Sequence, residues 1–452
     1  MDISFILNDL NDAQREAVTA GDTHALILAG AGSGKTRVLV HRIAWLTQVM
    51  GFSPYNLLAV TFTNKASNEM RGRIESLVGQ KAAGLTMGTF HGIAYRLLRQ
   101  HYQEVGLPQT FQILDSDDQK RVIKRLLKAM ELEESQWPHK QIQAFINGEK
   151  EEGRRPHHID VGYNPFVAKM VEVYRAYEEQ CQRSGLVDFA ELLLRAHELW
   201  LKNPTVLRHY QARYQHILVD EFQDTNSLQY AWLKVLAGGT GKLFVVGDDD
   251  QSIYGWRGAK VENIRQFDED FSQVKAVRLE QNYRSTGTIL KAANGLISHN
   301  TSRMGKELWS SGEEGDLIRV YEAFNEVDEA RYVCNQMEAW CEHGGARNDI
   351  AVLYRSNAQS RVMEQALIQA QIPYRVYGGL RFYDRAEIKD VLSYLRLLMN
   401  RDDDAAFERA YNHPPRGIGQ KTADSIRTMA KQHGIPLWQA AQKLVESGLT
   451  AR

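Results

Sequence analysis

The chain has 452 residues, 43% of them hydrophobic and 25% charged. At about 150 residues per domain this length favours about three domains, and the composition excludes a disordered, collagen-like or membrane-spanning chain. The 55 Lys+Arg against 56 Asp+Glu give a net charge of −1, so no globally basic surface recommends a nucleic-acid partner, and any such partner must be met by local geometry. Three scattered cysteines, Cys181, Cys334 and Cys341, suit structural thiols in a reducing compartment rather than a disulfide framework or a zinc site. The acidic N-terminal stretch does not read as a signal peptide. The expected location is cytoplasmic, with no membrane partner.

In chain order, residues 24–29 (HALILA) form a short apolar run before a glycine-rich turn. A helical pattern follows, with Val38, Leu39, Ile43 and Leu46 on one face. Leu57 to Thr63, His216 to Asp220 and Leu243 to Gly247 repeat the scheme of a buried run followed by a turn or helix. Such alternation predicts a parallel, doubly wound α/β sheet with helices on both faces. Between about 91 and 210 strand signals vanish, and charged amphipathic patterns such as QKRVIKRLLKAM predict a helical insert. After 280 the spacing predicts strands near Leu317 to Ala323, Asp349 to Tyr354 and Tyr374 to Tyr377. From about 378 the pattern turns helical again.

The sharpest local signal runs from Ala29 to Thr36, AGAGSGKT, between a predicted strand and a predicted helix. It fits a phosphate-binding loop with Ala at the first glycine position; a plain tight turn is the other reading. In such a loop Gly30, Ala31, Gly32, Ser33 and Gly34 offer backbone N–H groups to a β-phosphate, Lys35 reaches the β- and γ-oxygens, and the Thr36 hydroxyl takes a Mg²⁺ position. The strand ending in Asp220-Glu221 delivers an acid suited to Mg²⁺ and a neighbour suited to activating water, or it is only a helix cap. The stretch 247–258, GDDDQSIYGWRG, reads three ways: an acidic metal site, a turn whose Trp merely packs, or a γ-phosphate contact at Gln251 coupled to a base-stacking platform of Tyr254 and Trp256 beside Arg257. Around Gly417-Ile418-Gly419 the text fits a phosphate-binding turn between helices as well as an ordinary helix cap.

Taken together, AGAGSGKTR, TFTNKA (61–66), GTFHG (88–92), LVDEFQDTN (218–226), GDDDQSIYGWRGA (247–259) and QNYRS (281–285) resemble, in order and context, the superfamily 1 DNA helicases of the UvrD/Rep/PcrA type, from Leu10 onward. The resemblance implies a P-loop NTPase of RecA-like fold. It places a first motor domain over 1–90 and 211–280, a helical insert over 91–210, a partial second RecA-like domain over 281–377 and a truncated helical insert over 378–452. Through it, Gln14 matches an adenine-reading glutamine, Tyr283 stacks on the base, Arg37 lies along the nucleotide, and Arg284 resembles an arginine finger on the second sheet. Phe62, Asn64, His91, Tyr254, Trp256, Arg257, Arg355 and Asn357 match a single-strand track. The nucleotide set is then Gln14, Gly30 to Arg37, Tyr283 and Arg284, with Lys35, Glu221, Gln251 and Arg284 catalytic and Thr36 and Asp220 on the metal.

The implied cofactors are ATP and Mg²⁺, and the implied partners are single-stranded DNA, single-strand/duplex junctions and proteins of the excision and mismatch repair pathways, with self-association possible. The implied activity is ATP-driven translocation and unwinding in the 3′ to 5′ direction, in repair and replication. Later strands and a second γ-phosphate arginine expected of the family do not occur, so the chain reads as a fragment or a truncated product. Two alternatives follow: a nucleotide-gated strand-binding fragment without unwinding, and a helicase-nuclease subunit, which would need a nuclease domain this text lacks.

Overall fold

The computed structural model describes residues 3–301, 303–377 and 386–448, which form two compact units, 1–316 and 317–452. The first is built on a six-stranded, wholly parallel sheet. Its strands are β1 (Ala25–Ala29), β2 (Leu57–Thr61), β3 (Thr86–Thr89), β6 (His216–Val219), β7 (Lys242–Gly247) and β8 (Lys275–Leu279), in the order β3-β2-β6-β7-β1-β8. A separate two-residue pair, β4 (Gln112–Ile113) and β5 (Leu186–Val187), lies within the predicted helical insert. It is too short to leave a periodic signal in the sequence.

Helices cover both faces of the large sheet, which is why β1, β2 and β6 read as unbroken apolar runs with every residue buried. The helix Lys35–Gln48 buries Val38, Leu39, Ile43 and Leu46 against one face. On the other face the helices Phe90–Gln100 and Phe189–Lys202 close a core that includes Trp200 and Trp232. Because all six strands run in one direction, their carboxyl ends share one edge, where open α/β sheets place their ligands. Each strand delivers there one of the strings singled out above. β1 leads to the glycine-rich loop, β2 to Phe62, β3 to His91, β6 to Asp220, β7 to Asp248, and β8 to Gln281-Asn282-Tyr283-Arg284.

The second unit is helical. It contains Glu326–Glu342 packed with Asn357–Gln369, and a four-helix group from Ala386–Met399 to Leu437–Glu446 around Leu397, Phe407, Ile426 and Ala440. The segments near Leu317 to Ala323, Asp349 to Tyr354 and Tyr374 to Tyr377, predicted as strands, form no strand ladder. A strand exists only through its neighbour's hydrogen bonds; without one, Leu317, Val320 and Leu353 stand more than 80% exposed. The expected boundary at 377/378 falls against residues 378–385, outside the described residues. Gly417, at φ 73°, and Gly419 precede the helix Gln420–His433, Gly419 as its N-cap. Among the described residues no helix is long and apolar enough to cross a membrane.

Candidate nucleotide and strand-binding site

The glycine-rich loop is fixed from both sides. Gly32 and Gly34 take φ of 66° and 89°, a backbone region that side chains disfavour. A Cβ on Gly34 would stand 2.7 Å from Gln14 Nε2, and one on Gly32 2.5 Å from Asn282 Nδ2. Gln14 is fully buried: its Nε2 donates to Ser33 O at 2.9 Å, while its Oε1 accepts from Asn11 N in a capping box. Its amide is therefore committed to shaping the loop, a role the sequence reading did not assign. On the far side Asn282 Nδ2 donates to Ala31 O (2.5 Å) and Tyr283 N to Gly32 O (3.0 Å). Asn282 Oδ1 also accepts from Arg284 N and Ser285 N, setting the turn that carries Arg284.

Arg284 was expected on a second sheet. Residues 281–285 instead pack on the loop itself within the first unit, because β8 pairs with β1 and ends beside it. Tyr283 keeps its ring half exposed, its hydroxyl accepting from Asn11 Nδ2 at 2.7 Å.

Lys35, first residue of its helix, points its Nζ to Glu221 Oε2 (3.5 Å) and Asp248 Oδ2 (3.7 Å). Thr36 and the exposed Arg37 follow in the same first turn. Around this one lysine gather Asp220, Glu221 and Asp224. Burial, reinforced by Glu221 and only partly offset by Lys35, pushes the Asp220 carboxyl up to about 7 and that of Asp224 to about 6. Glu221 sits at φ 49°, ψ 49°, a left-handed conformation that a non-glycine residue adopts at a cost. Gln223, missed in the sequence, is buried and spans two motifs: Nε2 donates to Glu221 Oε2 (2.8 Å) and Oε1 accepts from Asp248 N (2.9 Å).

The three consecutive aspartates are not an open metal site. Although Asp248, Asp249 and Asp250 turn oxygens toward a common point, the ammonium of Lys306 fills that point, 2.6 Å from Asp248 Oδ1 and in contact with Asp249. Arg303 grips Asp250 with two bonds of 2.8 and 2.9 Å. Gln251 Nε2 donates to Asp248 Oδ2, so the amide belongs to the network that reaches Lys35.

Seven residues along, the same stretch becomes aromatic and exposed. Trp256 is 74% exposed, which disposes of the reading in which it merely packs. Tyr254 stacks on Phe62 with ring centroids 5.5 Å apart and planes at 26°, and the Arg257 guanidinium lies 4.4 Å from the Trp256 centroid. These residues line a groove of about 740 Å³ together with His91 and Asp224. His91, its basicity lowered by burial, packs edge-on against Phe189. Asn64 is exposed at the start of the helix Asn64–Val78. Arg355 and Asn357, both exposed, lie in the second unit around the start of the helix Asn357–Gln369.

A parallel sheet whose first strand feeds a glycine-rich loop and a lysine-headed helix defines a nucleotide-binding domain of the RecA type. Residues 10–272 match the UvrD/REP helicase N-terminal domain and residues 277–447 the UvrD-like helicase C-terminal domain; the chain belongs to the UvrD/REP helicase family. It is 60% identical over 446 residues to DNA helicase II of Escherichia coli, 56% over 455 residues to DNA helicase II of Haemophilus influenzae, and 44% over 451 residues to ATP-dependent DNA helicase PcrA of Staphylococcus epidermidis. The matches take in 99 to 100% of this chain and 62% of each of those relatives.

Proposed function

We propose that this chain binds and hydrolyses ATP and couples that cycle to movement along single-stranded DNA, 3′ to 5′, as a DNA helicase of repair and replication. The observation that carries the reading is the stretch 247–258. At one end Asp248 and Gln251 are bonded into the network of Lys35; at the other, Trp256 and Arg257 stand open to solvent beside the partly buried Tyr254. A change felt at a phosphate is thus only a few residues, from Gln251 to Tyr254, away from a surface suited to stacking bases. Stacking contributes about 1–3 kcal/mol per base without regard to sequence, which is how a chain of net charge −1 holds a polyanion. The names of the relatives, DNA helicase II and PcrA, agree with this reading.

The residues present suit Mg²⁺. The Thr36 hydroxyl and the Asp220 carboxylate are hard oxygen donors, and Asp220 is a buried carboxylate short of positive charge. When bound, the ion would neutralise phosphate charge. Backbone N–H groups of 30–34 then receive the phosphates, Lys35 leaves its carboxylate partners for them, and Glu221, held by Gln223, takes the proton of the attacking water. Tyr283 offers its exposed ring to the base, Arg37 lies along the nucleotide, and Arg284 neutralises the γ-phosphate as charge develops. Phe62, Asn64, His91, Tyr254, Trp256 and Arg257 carry the strand, joined by Arg355 and Asn357 of the second unit. Gln14, in the helix Asp12–Val18 beside the loop, reads adenine once its amide exchanges Ser33 O for the base edge.

ATP turnover measured with and without unstructured single-stranded DNA tests the reading. Strong stimulation by DNA is expected. Tight binding of both ligands without stimulated turnover would return the reading to a nucleotide-gated binding module.

A further inference from the structure

Lys306 is the least expected charge in the first unit. It follows no motif, its side chain is 1% exposed, and its Nζ serves three carboxylates: Asp248 Oδ1 at 2.6 Å, Asp249, and Asp250 Oδ2 at 3.8 Å. Burial pulls its ammonium down, but Asp248 and Asp249 outweigh that and raise it, so it is a permanent cation. The segment that carries it is fastened independently. Arg303 binds Asp250 through both its oxygens and also donates to Lys306 O at 2.6 Å, and Met304 N donates to Asp249 Oδ2 at 2.7 Å.

Asp248 is therefore shared between two lysines. One oxygen faces Lys306; the other faces Lys35 at 3.7 Å and accepts from Gln251. An acceptor saturated on one side attracts less strongly on the other.

We propose that Lys306 is a positioning residue for the phosphate site: a built-in counter-ion that satisfies Asp248, so that Lys35 stays free to move to phosphate and Gln251 keeps its place. This deepens the nucleotide reading above and rests on it. With Lys306 removed, Arg303 still holds Asp250, but the buried Asp248 loses its close cation and draws in the nearest other one, which is Lys35. Nucleotide then has to compete with Asp248 for its own lysine.

The test uses Lys306→Met, Lys306→Met/Asp249→Asn and Asp249→Asn, with two readouts. The first is affinity for a fluorescent Mg-ATP analogue. Lys306→Met should weaken it about tenfold, the size of coupling between adjacent charges, with KM for ATP rising by more than kcat falls. The double variant restores the local charge balance and should recover most of that loss. Unaltered affinity with only a lower thermal midpoint, or no recovery in the double variant, overturns the proposal.

The second readout needs no nucleotide: the rate at which Lys35 is acylated by acetic anhydride, followed by peptide mass spectrometry. It should fall several-fold in Lys306→Met. Should that variant not fold, Asp249→Asn, which leaves Lys306 more fully on Asp248, should raise it. An unchanged rate in both variants defeats the inference even if the wild-type chain binds ATP. Failure of the wild-type chain to bind ATP defeats the nucleotide reading while the acylation result still stands for Lys306.

Discussion

Two of the charge clusters in the first unit, one in the helical insert and one at the sheet edge, are built to opposite ends. In the helical insert, Lys150 bonds Asp188 (2.7 Å) and Glu191 (2.9 Å), and Arg155 reaches Glu178, Glu191 and Glu198. Tyr177 donates its hydroxyl to Asp188 and Arg195 closes on Glu191. Although burial raises it, Lys150, Arg155 and Arg195 together hold the Glu191 carboxyl far below the usual range. At the sheet edge, Asp220, Glu221 and Asp224 share one lysine, and Asp220 is pushed up to about 7. A satisfied cluster fixes a shape; an underpaid one waits for a cation or a proton. Perturbed carboxylates mark function when the missing charge is one that a ligand could bring.

If that contrast holds, the two clusters should fail differently. Glu221→Gln keeps shape and hydrogen bonding but not basicity, so turnover should drop by about 10²–10⁴-fold while nucleotide affinity survives; comparable losses in both would make Glu221 structural. Lys35→Ala should likewise abolish hydrolysis and leave strand binding in place, as seen by fluorescence anisotropy of labelled DNA. Lys150→Met, by contrast, should leave the catalytic constants of whatever folds unchanged and cost about 3–5 kcal/mol of stability, because it strands the buried Asp188 without its cation while Glu191 keeps Arg155 and Arg195. Urea denaturation measures this, and a stable variant would show that the insert tolerates bare carboxylates. Trp256→Ala should weaken single-strand affinity by about 1–3 kcal/mol with no preference among bases, at little cost in thermal stability since the ring is exposed.

The smallest effect is on pH. A carboxyl whose folded pKa is raised contributes stability that is fully present below its unfolded value, near 3.8 for Asp220, and is lost as pH rises through about 7. Without metal, Asp220→Asn should therefore raise the thermal midpoint at pH 8, by roughly a few degrees, and the gain should shrink as pH falls toward 4. Glu191 has the opposite sign: its contribution is present above the ordinary carboxylate value near 4.5 and disappears only in strong acid. Equal gains for Asp220→Asn at both pH values would contradict the contrast.

Much of the sheet edge was legible because the loops there are written in strings. AGAGSGKT, LVDEFQD and GDDDQSIYGWRG each follow a buried apolar run, and the structure brings them to one edge. The strands β3 and β8 escaped: in β3, Thr86 and Thr89 are only partly buried, and β8 alternates exposed and buried residues at the sheet margin. Lys306, Gln223 and Asn282 were invisible for another reason. Each acts through a partner distant in sequence, Asn282 reaching back 251 residues to Ala31 and Lys306 58 residues to Asp248. No local period records such a pairing. The predicted strands near Leu317, Asp349 and Tyr374 mark the converse limit, since apolar alternation states a willingness to pair and says nothing of whether a neighbour is there.

The left-handed backbone of Glu221 sets stability and turnover against each other at one position. Glycine would occupy φ 49° without the penalty a Cβ brings, about 1–2 kcal/mol. Glu221→Gly should then make the chain harder to unfold in the same stroke that removes its base. A screen for thermal resilience would enrich that change, and a screen for ATP turnover would discard it. The glutamate persists in a conformation that suits it poorly, and the tension can be measured by melting and assaying one variant side by side.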